Sequence, residues 1–249
     1  MKKKVCFFTI ADENNQKYLK KLKSSLKKFH PDIKLEVVEK ELLQETLRID
    51  PDFFYRATPA VARDLLKEYE TVIKIDADSV VTGDLSHTWG GDFDVAVVNN
   101  SNPKEAQVYP VTVWNIHQLS YLNCGFVVMK SVEFVDHWWK LCTSPHFQYY
   151  QMREQDLLNI MVFYGNYKVR FLDASENWHG LISKGFWNQI ELREDKLVLP
   201  NNGAWPSDED KTIKVIHWAG GNDPGKMNFN IKFSEGVSKW LNDLTKEEI

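Results

Sequence analysis

Two aspartates, Asp76 and Asp78, directly follow an apolar segment at residues 71–75 and are separated only by the small Ala77. Because side chains alternate along an extended chain, residues two positions apart face the same side, so both carboxylates can enter one site. Carboxylate oxygens suit a hard divalent cation, Mn²⁺ or Mg²⁺, that completes its shell with phosphate oxygens. An Asp-x-Asp alone is commonly a solvated turn, but this one ends a buried strand, where open α/β sheets bind ligands. We therefore predict a divalent cation site here.

A histidine far along the chain, His217, ends a second short apolar segment and is followed by a loop that contains Gly220 and Lys226. His217 is either a third metal ligand or the partner of a buried carbonyl, and its sequence context alone leaves both interpretations open. Glycines with exposed N–H groups, together with one cation, are a common cradle for phosphate. The segment therefore predicts a phosphate-binding loop next to the cation site.

Polar side chains also follow the first predicted strand. Thr9, Asp12 and Asn14 lie at its carboxyl end, where a nucleotide can be held, although a polar loop that caps the following helix explains them equally well. Arg56 and Arg63 are the arginines that most closely precede the aspartates in sequence. Either can pair with phosphate, while exposure on a helix is the commoner role of an arginine.

Two later segments carry further polar groups. Asn123 offers a donor and an acceptor to sugar hydroxyls, and Gly125 either lets a backbone or ligand approach closely or marks a β-bulge. Glu154, Gln155 and Asp156 open a helix, where acidic residues ordinarily complement the helix dipole.

The length and composition suffice for one large α/β domain over residues 1–249, which we expect, with two small domains as the alternative. The chain has 249 residues, 43% of them hydrophobic, which suffices for a sizeable core. A net charge of −4 argues against a general nucleic-acid binder, which needs a basic excess. Cys6, Cys124 and Cys142 lack metal-type spacing and fit reduced thiols of a cytoplasmic protein. We interpret residues 1–11 as a basic start and a first strand rather than a signal peptide, and no segment is long and apolar enough to cross a bilayer.

Strands and helices alternate along the sequence. Apolar residues at helical spacing at 18–29 follow a strand at 4–11 and precede a strand at 35–38, so the chain opens as a βαβ unit. We predict a helix at 59–68 with Thr58 as its N-cap. The remaining predicted elements are strands at 93–98, 122–129, 168–172 and 215–217 and helices at 132–141, from 154 and at 238–244.

In their order, these features resemble the nucleotide-sugar glycosyltransferases of the GT-A fold, and most closely glycosyltransferase family 8, over residues 4–230. The features that carry the resemblance are the loop around Thr9, Asp12 and Asn14, Ala62-Arg63, Asp76-Ala77-Asp78, Asn123-x-Gly125, Glu154-Gln155-Asp156 and His217-x-x-Gly220. The sequence departs from the family pattern at Glu154, where the family has Asp, and at Lys226, which comes nine residues after His217.

The resemblance implies a single GT-A-type, Rossmann-like α/β domain with a mixed, mainly parallel sheet flanked by helices. Its nucleotide-binding part would span about residues 1–100 and its acceptor side about 101–249. It further implies a cation held by Asp76, Asp78 and His217 and catalytic roles for Gln155, Asp156 and Glu154. The groups that it implies for donor binding are Thr9, Asp12, Asn14, Arg63, Asp76, Ala77, Asn123, Gly220 and Lys226.

The reaction that the resemblance implies is transfer of a hexose from a nucleotide sugar, UDP-sugar above all, to a hydroxyl of a saccharide or other acceptor. A Gln beneath the sugar would accompany retention of configuration, whereas Glu154, Asp156 or Asp173 acting as a base would give inversion. A sugar nucleotidyltransferase uses a similar carboxylate pair, but it needs a Gly-rich basic loop after strand one, which this sequence lacks. A sugar-binding module without catalysis is the third alternative.

Overall fold

The computed structural model describes residues 3–40, 43, 45, 54, 56–99, 121–150, 152–179, 189–201, 209–217 and 233–246. The helices are α1 (Gln16–Phe29), α2 (Ala57–Leu65), α3 (Val132–Cys142), α4 (Glu154–Tyr164) and α5 (Glu235–Leu244). The strands are β1 (Lys3–Ala11), β2 (Leu35–Glu39), β3 (Tyr69–Ile75), β4 (Ser79–Val81), β5 (Val95–Asn99), β6 (Leu122–Met129), β7 (Val169–Leu172), β8 (Trp178–His179), β9 (Glu191–Arg193), β10 (Lys196–Leu199), β11 (Lys211–Ile213) and β12 (Val215–His217).

A six-stranded sheet in the order β2-β1-β3-β6-β5-β7 forms the centre of the fold. Strand β6 runs antiparallel to both of its neighbours, and the other three pairings are parallel. The opening β1-α1-β2 unit is confirmed, and the mixed, mainly parallel sheet of an α/β domain is confirmed with it. Strands β1 and β3 therefore end at the same edge of the sheet.

The sheet is packed on both faces, as near-continuous apolar strands require. Alternate residues of β3 enter different cores: Val72 belongs to the core that also contains Phe134 and Trp138 of α3, while Ile73 packs with Leu19 and Leu22 of α1. This burial fixes the position of the carboxyl end of β3. Asp76 follows β3 directly, and Asp78 lies in the turn that leads to β4.

Helix α2 corrects one prediction about local structure. It begins at Ala57 after Arg56 as N-cap, and Thr58 is a buried residue of its first turn rather than the cap. Pro59 lies within that first turn, where an N–H group would have no helical partner. The helix therefore starts two residues before the predicted position and ends at Leu65.

Two small three-stranded sheets, β11-β10-β9 and β4-β12-β8, were not predicted. In the second, β12 pairs antiparallel with β4, and His217 lies opposite Ser79. This pairing carries the end of β12 to the aspartates that precede β4. No helix in the described part of the chain is long and apolar enough to cross a bilayer.

Candidate functional site

Asp76, Asp78 and His217 come together at the carboxyl end of β3. The His217 Nε2 atom lies 3.1 Å from Asp76 Oδ2 and 3.3 Å from Asp78 Oδ1. One possible ligand atom from each of the three residues lies within 4.8 Å of the others. Two carboxylates and one imidazole are a donor set that suits divalent first-row cations. These three residues form a possible metal site, which we call the acidic triad.

The acidic triad is electrostatically coupled. Burial favours neutral His217, but the Asp78 and Asp76 carboxylates outweigh burial and raise the pKa of His217 to about 9. Burial also opposes ionisation of Asp76, yet the Lys74 ammonium and the His217 ring hold the pKa of that carboxyl well below its usual range. Asp76 is therefore an anion at neutral pH, ready to accept a cation.

Gly125 of β6 leaves the space that His217 occupies. A Cβ atom added at Gly125 would lie 2.2 Å from His217 Cε1 and 2.5 Å from its Nδ1. The β5–β6 register shifts here, from Val97 opposite Val127 to Val98 opposite Asn123. Both interpretations of Gly125 therefore apply, because it lies in a strand irregularity and permits a close approach. The approaching group is an imidazole rather than a backbone.

Lys74 is a site residue that sequence reasoning missed. Its side chain is 6% exposed, and its Nζ donates to Asp76 Oδ1 and, at 2.7 Å, to the Cys124 carbonyl. Although burial lowers the pKa of an ammonium, the Asp76 carboxylate outweighs burial and raises the pKa of Lys74 above its ordinary value. The available signal was a lysine inside an apolar strand, two residues before Asp76 and so on the same face.

The first turn of α4 is docked on β6 through side chains. Gln155 Oε1 accepts hydrogen bonds from the Cys124 N–H at 3.0 Å and from Asn123 Nδ2 at 3.2 Å. One turn later, Asn159 Oδ1 accepts from the Leu122 N–H at 2.7 Å, and its Nδ2 donates to the Leu122 carbonyl at 3.0 Å. These hydrogen bonds fix Gln155 of α4 against Asn123 of β6. Asn123 lies two residues before Gly125, on the strand that contacts the acidic triad.

Asp156 and Glu154 are buried in the same turn. Asp156 Oδ1 accepts from the Tyr121 hydroxyl at 2.7 Å, a contact not foreseen from the sequence, and its Oδ2 accepts from the Met152 N–H at 2.9 Å. The Cys124 thiol lies 3.6 Å from Glu154 Oε1. Burial raises the pKa of Glu154 to about 8, and the Lys74 ammonium only partly opposes this shift. Glu154 is therefore mostly protonated at neutral pH.

The residues expected to bind the nucleoside lie at the end of β1. Thr9 is fully buried, and its hydroxyl has no hydrogen-bond partner among the described residues. Asp12 accepts from the Asn15 N–H at 3.0 Å and from Asn15 Nδ2 at 2.7 Å, so it caps the short 3-10 helix Glu13–Asn15, which includes Asn14. The capping interpretation of this loop thus holds for Asp12.

The remaining predicted residues are placed less directly. Arg63 lies on α2 with its guanidinium 5.5 Å from the ring centre of Trp139 on α3. Ala77 is buried between the two aspartates. Gly220 and Lys226 lie outside the described residues, so their predicted contact with phosphate stays a prediction.

Comparison with known structures shows the same fold in several glycosyltransferases. The galactosyltransferase LgtC, in complex with donor and acceptor sugar analogs, is 16% identical, with 97% of each chain covered and a TM-score of 0.60. The bifunctional glycosyltransferase WbbM is 16% identical, with 94% of this chain and 52% of that chain covered and a TM-score of 0.57. The glycosyltransferase GlyE of Streptococcus pneumoniae TIGR4 is 12% identical, with 100% and 61% covered and a TM-score of 0.59.

The TM-scores show a shared GT-A fold. A comparison with curated protein sequences found no match. The family is established by a sequence profile. The profile of glycosyl transferase family 8 matches residues 1–224, a range that includes all three residues of the acidic triad and the first turn of α4. The chain belongs to glycosyl transferase family 8 and is a glycosyltransferase.

Proposed function

We propose that this chain transfers a hexose from a UDP-sugar to a hydroxyl of a saccharide, that it requires a divalent cation, and that it retains the anomeric configuration. The observation that carries the proposal is the convergence of Asp76, Asp78 and His217 at the sheet edge where α/β folds bind ligands. LgtC, a galactosyltransferase whose structure contains donor and acceptor sugar analogs, supports a sugar donor and a sugar acceptor.

The acidic triad would hold Mn²⁺ in preference to Mg²⁺, since imidazole is a softer ligand than water or carboxylate. When bound, such a cation acts as a Lewis acid that stabilises negative charge on the departing diphosphate. The space at Gly125 and the low pKa of Asp76 both fit this use, because they keep an imidazole and an anionic carboxylate facing each other. Thr9, Asp12, Asn14, Arg63, Ala77, Asn123, Gly220 and Lys226 are the proposed contacts to the donor.

Retention is supported by the state of the carboxylates that would otherwise serve as an inverting base. Both oxygens of Asp156 accept hydrogen bonds, and Glu154 is buried and mostly protonated at neutral pH. Asp173 accepts from the Ser175 N–H at 2.9 Å and pairs with Lys211 Nζ at 2.9 Å. Gln155 has no basic form, so its role would be to orient the sugar or to stabilise developing charge.

Release of UDP tests the donor and the cation together. Purified protein, stripped of metal by a chelator, is incubated with a panel of UDP-sugars and saccharides, and UDP is measured after addition of Mn²⁺, Mg²⁺ or neither. We expect turnover with Mn²⁺, and none in Asp78→Asn, whereas the control Asp64→Asn, which alters an exposed ion pair with Lys67, retains it. Full turnover in the presence of chelator would refute the cation requirement.

Proton NMR of the product tests the stereochemistry separately. A product with the anomeric configuration of the donor supports retention, and the opposite configuration refutes it without affecting the cation proposal.

The cytoplasmic location is also a proposal. Its support is that Cys6, Cys124 and Cys142 are all buried and unpaired. Intact and lysed cells that produce the protein are each treated with a membrane-impermeant labelling reagent. Labelling only after lysis supports an internal protein, and labelling in intact cells contradicts it.

A further inference from the structure

Lys74 is a buried cation beside the acidic triad. It lies on β3 between Phe8 of β1 and Val127 of β6, and its side chain is 6% exposed. Its Nζ contacts Asp76 Oδ1 and the Cys124 carbonyl, while Asp76 Oδ2 faces His217. The two oxygens of one carboxylate are therefore divided between an ammonium and the acidic triad.

Burying an ammonium is costly even when it is paired, and an apolar side chain in the middle of a sheet packs without that cost. The charge of Lys74 is not needed to hold β3 against β6 either, since the two strands are already hydrogen-bonded to each other. What Lys74 adds is one positive charge beside two carboxylates. The two carboxylates together carry a charge of −2, and Lys74 changes the sum of these three charges to −1.

We propose that Lys74 is a resident cation of the donor site, which weakens binding of the divalent cation in the absence of nucleotide and strengthens binding of the nucleoside diphosphate. The inference rests on the proposed function, because that function brings the diphosphate to the acidic triad. A fixed positive charge repels a dication and attracts a diphosphate. Lys74 therefore shifts the preference of the empty site from the free dication towards the nucleotide.

A purely structural role gives a different pattern. If Lys74 only held Asp76 and β6 in place, its loss would disorder the site and weaken binding of both ligands. A resident cation instead gives effects of opposite sign on the two ligands. Its loss leaves the direct attraction between cation and diphosphate unchanged, because that attraction does not involve Lys74.

Calorimetric titration of Lys74→Met separates these cases, since methionine is unbranched and of similar length. We expect Mn²⁺ alone to bind about tenfold more tightly than to the wild type and UDP alone, without metal, about threefold more weakly. The factor by which saturating UDP raises Mn²⁺ affinity should stay the same. Lys74→Arg should bind both ligands as the wild type does. Lys168→Met, which removes an exposed charge paired with Asp92, is the matched control and should change neither affinity.

Weaker binding of both ligands by Lys74→Met, or no change in either, overturns the proposal. Circular dichroism checks that the variant is folded. If Lys74→Met is not folded, Lys74→Gln is titrated in the same way, because glutamine can still donate to Asp76 but carries no charge. The same opposite changes in Mn²⁺ and UDP affinity are then expected. A wild type that binds no Mn²⁺ with or without UDP overturns the proposed cation requirement as well. A wild type with normal binding and an unaltered Lys74→Met overturns only the role of Lys74.

Discussion

Substitution of Gly125 by alanine should disrupt the geometry of the acidic triad although none of its three residues is substituted. The φ angle of Gly125 lies outside the left-handed region, so alanine suits the backbone and only contacts matter. The new Cβ would lie 2.2 Å from His217 Cε1, 2.5 Å from its Nδ1 and 2.7 Å from Asn123 Oδ1. Each distance is well below van der Waals contact, so the imidazole has to move.

Movement of the imidazole should lower both the free energy of unfolding and the affinity for Mn²⁺. Inserting one methyl group into a packed site costs about 1–3 kcal/mol of unfolding free energy. The displaced imidazole no longer faces Asp76 and Asp78, and loss of one partner at a metal site lowers affinity by about tenfold to a hundredfold. We expect Gly125→Ala to show both losses together.

Urea unfolding gives the free energy of unfolding, and calorimetric titration with Mn²⁺ in the presence of UDP gives the affinity. Gly236→Ala is the matched control, because a Cβ at Gly236 of α5 meets no described atom within 4 Å. That substitution should stabilise the protein by about 0.4–1 kcal/mol through the unfolded chain and leave Mn²⁺ binding unchanged.

The double variant Gly125→Ala/His217→Ala identifies the clash. Removing the imidazole makes room for the new methyl group, so the two stability losses should not add. Additive losses would show that Gly125→Ala acts elsewhere. Wild-type Mn²⁺ affinity and stability in Gly125→Ala would refute the geometry of the site altogether.

Three further outcomes are expected. His217→Ala should weaken Mn²⁺ binding by about tenfold to a hundredfold and narrow the preference for Mn²⁺ over Mg²⁺, as measured by calorimetry; equal affinity would leave His217 a structural residue. Gln155→Ala should lower kcat more than donor affinity, because a group beside the reacting sugar acts mainly on the transition state; a change in KM alone would contradict this. Burial raises the pKa of Glu154 to about 8, so the native state keeps a proton that the unfolded chain loses near its ordinary pKa of 4.5. The free energy of unfolding should therefore fall as pH rises from about 4.5 to 8, and Glu154→Gln should remove a loss on the order of 5 kcal/mol. Parallel pH–stability curves for wild type and Glu154→Gln would contradict the shift.

The sequence predicted those parts of the molecule that local patterns determine. The spacing of Leu19, Leu22 and Leu26 located α1 to within two residues. The prediction that Asp76 and Asp78 enter one site is confirmed, but the expected strand alternation is wrong, because β3 ends at Ile75 and the two aspartates lie in the turn that leads to β4. The Asn-x-Gly pattern indicated that something approaches Gly125. It did not indicate that the approaching group is His217, because that contact depends on how β12 pairs.

Features that depend on contacts between distant segments were not predictable. Tyr121 binds Asp156 across 35 positions, and Lys74 binds the Cys124 carbonyl across 50. Thr58, a favourable N-cap residue by type, is instead buried in the first turn of α2, where the cap position is taken by Arg56. Tertiary packing decided each of these outcomes, and a single sequence does not contain the pairing of its strands.

The pairing of β12 with β4 has a consequence for biosynthesis. His217 is made 139 positions after Asp78, so at about 5–20 residues per second the ribosome completes the acidic triad roughly 7 to 28 seconds after it makes the aspartates. During that interval β1, β3, β5 and β6 can already pair, because all of them precede residue 130. Most of the central sheet can thus form before the acidic triad is complete, and a chain released before β12 would have the two aspartates without His217.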